Sequence, residues 1–210
     1  MKIKLIIRGQ EKEVGVPTSF KNLSYDKFLK LKRKQLDNIG LLSLILDLSK
    51  EEVVNISDKS SDTIDSVFDT LLFIIDYKPL NKGSVPNKIK IKSNFYNVPS
   101  KLELCTWWQR VELKELLKKC ETDLNILELI PRVIAIYLYP IVTGETFDIN
   151  KIDPLEQDIR ETCNTYEAYK VGFFLLNSLK DEPTLGTKPF GLIKMIVLKM
   201  KAWISSRSSR

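Results

Sequence analysis

Histidine is missing from the chain altogether. That removes the usual general base near neutral pH, the Ser-His and Cys-His nucleophile pairs, and the commonest metal ligand. Cysteine is sparse: Cys105, Cys120 and Cys163 lie far apart with no C-x-x-C spacing. Such a set reads as free thiols in a reducing compartment, packed as small hydrophobes, and not as a disulfide framework or a zinc site. With only 8 glycines in 210 residues, a turn-rich all-β fold is disfavoured and helices are favoured. No Walker-type loop, dinucleotide fingerprint or Gly-x-Ser-x-Gly elbow occurs. No catalytic, cofactor-binding or metal-ligating residue is therefore assigned, and the chain is read as non-enzymatic.

Long apolar runs are missing too. The N-terminal Met1–Arg8 is too short in its apolar part for a signal peptide. The longest apolar stretch, Leu129 to Val142, is interrupted by Pro131, Arg132 and Pro140, so no membrane span is expected. A soluble protein made in a cytoplasm follows as the expectation. The composition is that of a globular chain, 43% hydrophobic and 29% charged, with a net charge of +6.

What is present is a pattern met twice. Ile3, Leu5 and Ile7 alternate with polar positions, Arg8–Glu11 can turn, and Lys12–Val16 can return as a second strand that Pro17 ends. Ser24 then caps a helix from Tyr25 to about Lys34, and an apolar second helix follows from about Asn38 to Leu48. Ser49-Lys50-Glu51-Glu52 matches a capping box, and Ile64, Val67, Phe68, Leu71, Leu72 and Ile75 keep helical period up to Lys78-Pro79. From Lys88 the order begins again: Lys88–Lys92 echoes Lys2–Leu5, Ser93-Asn94 turns, and Phe95–Val98 returns. Val98-Pro99-Ser100 falls opposite Val16-Pro17-Thr18, and without a gap Thr106-Trp107 meets Ser24-Tyr25. Helices are expected from about Trp107 to Lys119, from Asp123 with a kink or restart at Pro131, from Pro154 to about Cys163, and from Thr165 to about Leu179, with Pro140–Asn150 as loop. The fold class is mainly α with two small β-hairpins (α+β). It comprises tandem diverged hairpin-plus-helices units over 1–80 and 81–182, then a basic amphipathic helix and tail over 183–210.

Charge is concentrated at the end. After Glu182 no acidic residue remains, while Lys188, Lys194, Lys199, Lys201, Arg207 and Arg210 all follow, so residues 1–182 balance at zero. These six cations form the candidate surface for an acidic partner, an anionic membrane or nucleic acid, whose phosphate contacts would be salt-sensitive. The plainer reading packs the Leu192, Ile193, Ile196, Val197, Met200 stripe on the protein body and leaves the lysines solvated. Trp107 and Trp108 beside Arg110 raise base stacking, but in the first turn of a helix one of them is expected to pack inward, in the core. Glu145, Asp148, Asn150 and Asp153 lack the glycine and terminal glutamate of a calcium loop, with Ile152 where a ligand belongs. Glu51-Glu52 and Asp181-Glu182 point apart on a helix and make poor acid–base pairs.

Several stretches together resemble morphogenesis proteins of tailed bacteriophages, especially the crass-like phages of gut bacteria: Val16–Phe20 with Leu23-Ser24-Tyr25, Leu71–Pro79, Leu129–Tyr137, Pro140–Asp148 and Tyr169–Leu179. The resemblance implies a virion structural or virion-packaged protein (cargo, tail or neck) that binds other phage structural proteins, packaged DNA through its tail, or further copies of itself. It equally accommodates a tail assembly chaperone absent from the particle. A nucleic-acid-binding regulator rests on the tail alone. The resemblance brings no catalytic residue and no cofactor.

Overall fold

The computed structural model describes residues 1–33, 36–75, 80, 83–99, 105–118 and 123–179. The six tail cations Lys188, Lys194, Lys199, Lys201, Arg207 and Arg210, the helix expected over 190–204, and Cys120 lie outside the described residues.

The chain divides into two compact units, Met1–Lys82 together with Asn164–Tyr166, and Gly83–Cys163 with the segment that begins at Glu167. Asn164–Tyr166, which the sequence puts in the second unit, belongs to the first.

In the first unit, β1 (Lys2–Ile7) pairs antiparallel with β2 (Gln10–Gly15), Lys2 opposite Gly15 and Ile7 opposite Gln10. The turn is tighter than the expected Arg8–Glu11. Arg8 at φ 51° and Gly9 at φ 78° make a two-residue connection, because only two left-handed residues match the strand twist. Leu5, Ile7 and Val14 point inward, while Lys2–Glu13 and Lys4–Glu11 ion pairs line the exposed face. At the far end Met1 and Val16 exchange two main-chain hydrogen bonds, 2.8 and 2.7 Å, before Pro17 stops the ladder.

Helix α1 (Tyr25–Arg33) buries Tyr25, Phe28 and Leu29. α2 (Asn38–Leu46) is capped by Asp37, which accepts from the Gly40 amide, and ends at Asp47 in the left-handed region. α3 (Lys50–Val54) opens on the expected capping box: Ser49 Oγ accepts from the Glu52 amide and Glu52 accepts from the Ser49 amide. α4 (Ser61–Thr70) tightens into a 3-10 turn over Leu71–Ile74, where the period alone suggests one continuous α-helix.

Glu52 also accepts from Lys12 Nζ at 2.6 Å. That bond, with the Ser49 amide, holds its carboxyl at about 2, below the ordinary 4.5. A lowered folded value means the contribution is complete above the ordinary value and lost as pH falls towards the folded one. Protection of the first-turn amides of α3 is therefore expected to weaken between about pH 4.5 and pH 2. A carboxyl NMR titration of Glu52 with its midpoint at an ordinary value would refute this.

The second unit repeats the order. β3 (Lys88–Ile91) pairs antiparallel with β4 (Asn94–Asn97), two residues shorter per strand, and Ile89 and Ile91 point inward. The turn is Lys92-Ser93, one residue earlier than expected, with Lys92 at φ 54°. The Val98 amide donates to the Asn87 carbonyl at 2.8 Å, the counterpart of the Val16–Met1 closure, again just before a proline.

Four helices follow: α5 (Trp107–Lys118), α6 (Asp123–Thr143), α7 (Asp153–Thr162) and α8 (Thr165–Ser178). α6 corrects the sequence reading most. It runs unbroken through Pro131 and past Pro140, where a kink or restart and then a loop were expected. Ile130 and every residue from Val133 to Tyr139 are buried, so packing outweighs the cost of two helix-interior prolines. Its Asn125–Thr143 segment is apolar and long enough to cross a membrane by length and composition, with mean hydropathy 1.6 and 61% of it buried. The helix ends where Thr143 Oγ1 donates to the Tyr139 carbonyl (2.8 Å) and Gly144 adopts φ 72°.

Candidate interaction surface

Gln109 sets the orientation of α5. Thr106 is its N-cap: Thr106 Oγ1 accepts from the Gln109 amide at 3.3 Å, and Gln109 Oε1 accepts from the Thr106 amide at 2.9 Å. The Gln109 side chain is then carried into the interior, where Nε2 donates to the carbonyls of Ile136 (2.6 Å) and Tyr137 (3.3 Å) on α6. The partner is chemically apt, because Pro140 has no N–H to give the Ile136 carbonyl one turn before it. Leu113, four residues on, is buried on the same side.

With Gln109 and Leu113 inward, the two residues ahead of Gln109 face away from the core. Trp107 is 71% exposed and Trp108 49% exposed, their ring centroids 5.4 Å apart with 30° between planes. Neither is buried, which overturns the expectation that one of them packs into the core. Their counterpart Tyr25 is fully buried, so the two units share cap and helix but not the helix face they bury. Trp107, Arg110, Lys114 and Lys118 fall on one stripe of α5, at spacings of three, four and four. Arg110 Nε donates to the Cys105 carbonyl at 3.3 Å, and Lys118 pairs with Glu115 at 2.5 Å. Elsewhere in this unit Phe95 on β4 is 64% exposed, with Lys90 Nζ 5.9 Å from its ring centroid.

The ionisable groups of the second unit hold structure. Arg132 donates to Asp153 (2.9 Å) and Glu156 (2.8 Å), and Arg160 donates to the other Glu156 oxygen (3.0 Å), binding α7 to α6 beside Pro131. Of the calcium-loop candidates, Asp148 caps the short 3-10 turn Ile149–Lys151, and Glu145 accepts from the Tyr139 hydroxyl at 3.2 Å. The Cys163 thiol is buried and donates to the Lys90 carbonyl at 3.0 Å, and burial pushes its pKa far up, which favours the neutral thiol. Lys170 is buried with Nζ 2.9 Å from the Gly83 carbonyl, and burial lowers its pKa. Among the described residues no three potential metal ligands gather.

The tryptophan pair was mislaid in the sequence because an aromatic after a helix cap is ordinarily core. The signal that finds it is Thr106-x-x-Gln109, which commits the third helical residue, and hence the opposite face, before any hydrophobic period is counted. No protein-family model matches the chain, and no curated protein or solved structure is significantly similar to it.

Proposed function

We propose that this chain is a non-enzymatic protein of a tailed-phage particle, structural or packaged within it, that works through protein–protein contacts centred on Trp107 and Trp108. The outward tryptophan pair carries the reading. Two large apolar rings held in water on a helix that already has its buried face cost free energy unless a partner covers them. Tryptophan is also the residue most enriched where interface energy concentrates. Support for a phage setting comes from the sequence resemblance alone, and the six tail cations, including Lys188 and Lys194, are assigned to packaged DNA or an acidic partner on charge alone.

Mass spectrometry of purified particles tests the proposal. The chain is expected among virion proteins, and the Trp107→Ala/Trp108→Ala double variant is expected to keep its fold within about 0.5 kcal/mol while its incorporation drops at least about tenfold. Presence in infected cells with absence from mature particles would replace this reading with that of an assembly chaperone. Unchanged incorporation of the double variant would remove the tryptophans from the contact.

A further inference from the structure

The same hydrogen-bonding scheme anchors a segment along the outer edge of each hairpin's first strand. On β1, the Arg8 amide donates to the Asn55 carbonyl, the Ser57 amide to the Ile6 carbonyl, and the Ile6 amide to Ser60 Oγ. On β3, counted from the turn, the equivalent groups are used in the same order. The Lys92 amide donates to Thr162 Oγ1, Cys163 Sγ to the Lys90 carbonyl, and the Lys90 amide to Glu167 Oε2. Asn55, Ser57 and Ser60 thus correspond to Thr162, Cys163 and Glu167. The residues between the last two anchors are Asp58-Lys59 in one case and Asn164-Thr165-Tyr166 in the other.

Those two inserts have different fates. In the first unit Asn164–Tyr166 covers the stretch leading into α1. Thr165 donates from its amide and its hydroxyl to the Leu23 carbonyl, both at 2.8 Å, Tyr166 donates its amide to the Phe20 carbonyl at 3.1 Å, and Asn164 bridges Ser24. Lys21 Nζ sits 5.3 Å from the Tyr166 ring centroid. The counterpart of Leu23-Ser24 in the second unit is Cys105-Thr106, ahead of the exposed Trp107 and Trp108, and there the Cys105 carbonyl is held by Arg110 of the same helix. Asp58 and Lys59, the counterparts of the covering segment, are themselves exposed. Among the described residues, the stretch leading into α1 is thus covered, while Trp107 and Trp108 at the start of α5 and the Asp58-Lys59 turn are exposed.

We infer that copies of this chain associate head to tail, the Asp58-Lys59 turn and α4 of one copy docking on the Thr106–Trp108 end and outer stripe of α5 in the next. Charge supports this occupant. Asp62, Asp65 and Asp69, three and four residues apart, form an exposed acidic stripe on α4, opposite in sign to the Arg110, Lys114 and Lys118 stripe of α5, whose members are four and four apart. Because the two surfaces differ, the contact is heterologous and propagates into a ring or a filament. The inference rests on the proposed contact surface and names what covers it.

Sedimentation of the full chain across concentration and salt tests it. Expected are oligomers that grow with concentration and shrink as salt screens the two stripes. Trp107→Ala/Trp108→Ala and Asp62→Lys/Asp65→Lys should each weaken association at least about 30-fold. An equimolar mixture of the two variants should give a heterodimer and nothing longer, since only one intact junction remains. A chain that stays monomeric throughout, a variant that assembles like the parent, or a mixture that does not pair overturns the inference. If the chain is monomeric yet the tryptophan variant is lost from particles, the partner is another protein and the contact surface stands. If it is monomeric and the variant is retained, this inference falls and the tryptophans leave the proposed contact.

Discussion

Replacing Gln109 by leucine is expected to lower the stability of the second unit by about 2–3 kcal/mol, even though leucine is more apolar and the site is buried. The change removes the donor that serves the Ile136 carbonyl and the acceptor that serves the Thr106 amide, leaving one unpaired polar group inside and another at a helix start. For a chain of this size that is a fall of about 5–10 °C in Tm. The cause can be isolated by a second substitution. Pro140→Ala restores an N–H one turn after Ile136, so the helix can satisfy that carbonyl itself. In that background the penalty of Gln109→Leu is expected to shrink by at least about 1 kcal/mol. Equal penalties in both backgrounds would show that the glutamine does not compensate for the proline.

Gly172→Ala is the other large effect. A Cβ at Gly172 would stand 2.6 Å from Ile130 Cγ2 and 2.9 Å from Ile130 Cγ1, closer than carbon atoms approach. Both residues are fully buried or nearly so, where α8 crosses α6, so neither backbone yields easily. A loss of about 2–3 kcal/mol is expected from one added methyl, against the small gain that alanine brings to an open helix position. Ile130→Ala alone should cost about 2–5 kcal/mol through its cavity. Combined, the two are expected to cost clearly less than their sum, because the methyl added at Gly172 occupies space that Ile130→Ala vacates. Strict additivity in thermal unfolding would contradict the close approach.

Much of the fold was legible in the sequence because its signals are local. The Lys-Ile alternation announced both hairpins, each pre-proline valine marked where a ribbon closes, and Ser49-x-x-Glu52 marked a helix start that forms as written. The first turn is shorter than the sequence suggests and the second begins one residue earlier, because Arg8 and Lys92 take left-handed backbone that neither residue type advertises. α6 was cut at its prolines because the groups that repair it come from far along the chain, Gln109 above all, and no window around Pro140 contains them. The exposed tryptophan face is hidden from a sequence reading for the same reason: the burial of Gln109 on α6, not the aromatic character of Trp107, decides which side of α5 meets solvent. The six tail cations remain a reading of sequence alone.

The first hairpin bears on how crowding would treat this protein. The outer edge of β2 presents Glu11 and Glu13, each tied across the ribbon to Lys4 and Lys2, and Lys12 between them reaches Glu52. A strand from a neighbouring molecule that tried to zip onto this border would have to strip alternating charges of their counterions, which makes the ribbon a poor template for amyloid-like stacking. Even at very high local copy number, adhesion through this hairpin is thereby discouraged, and contacts are steered to the helical flanks.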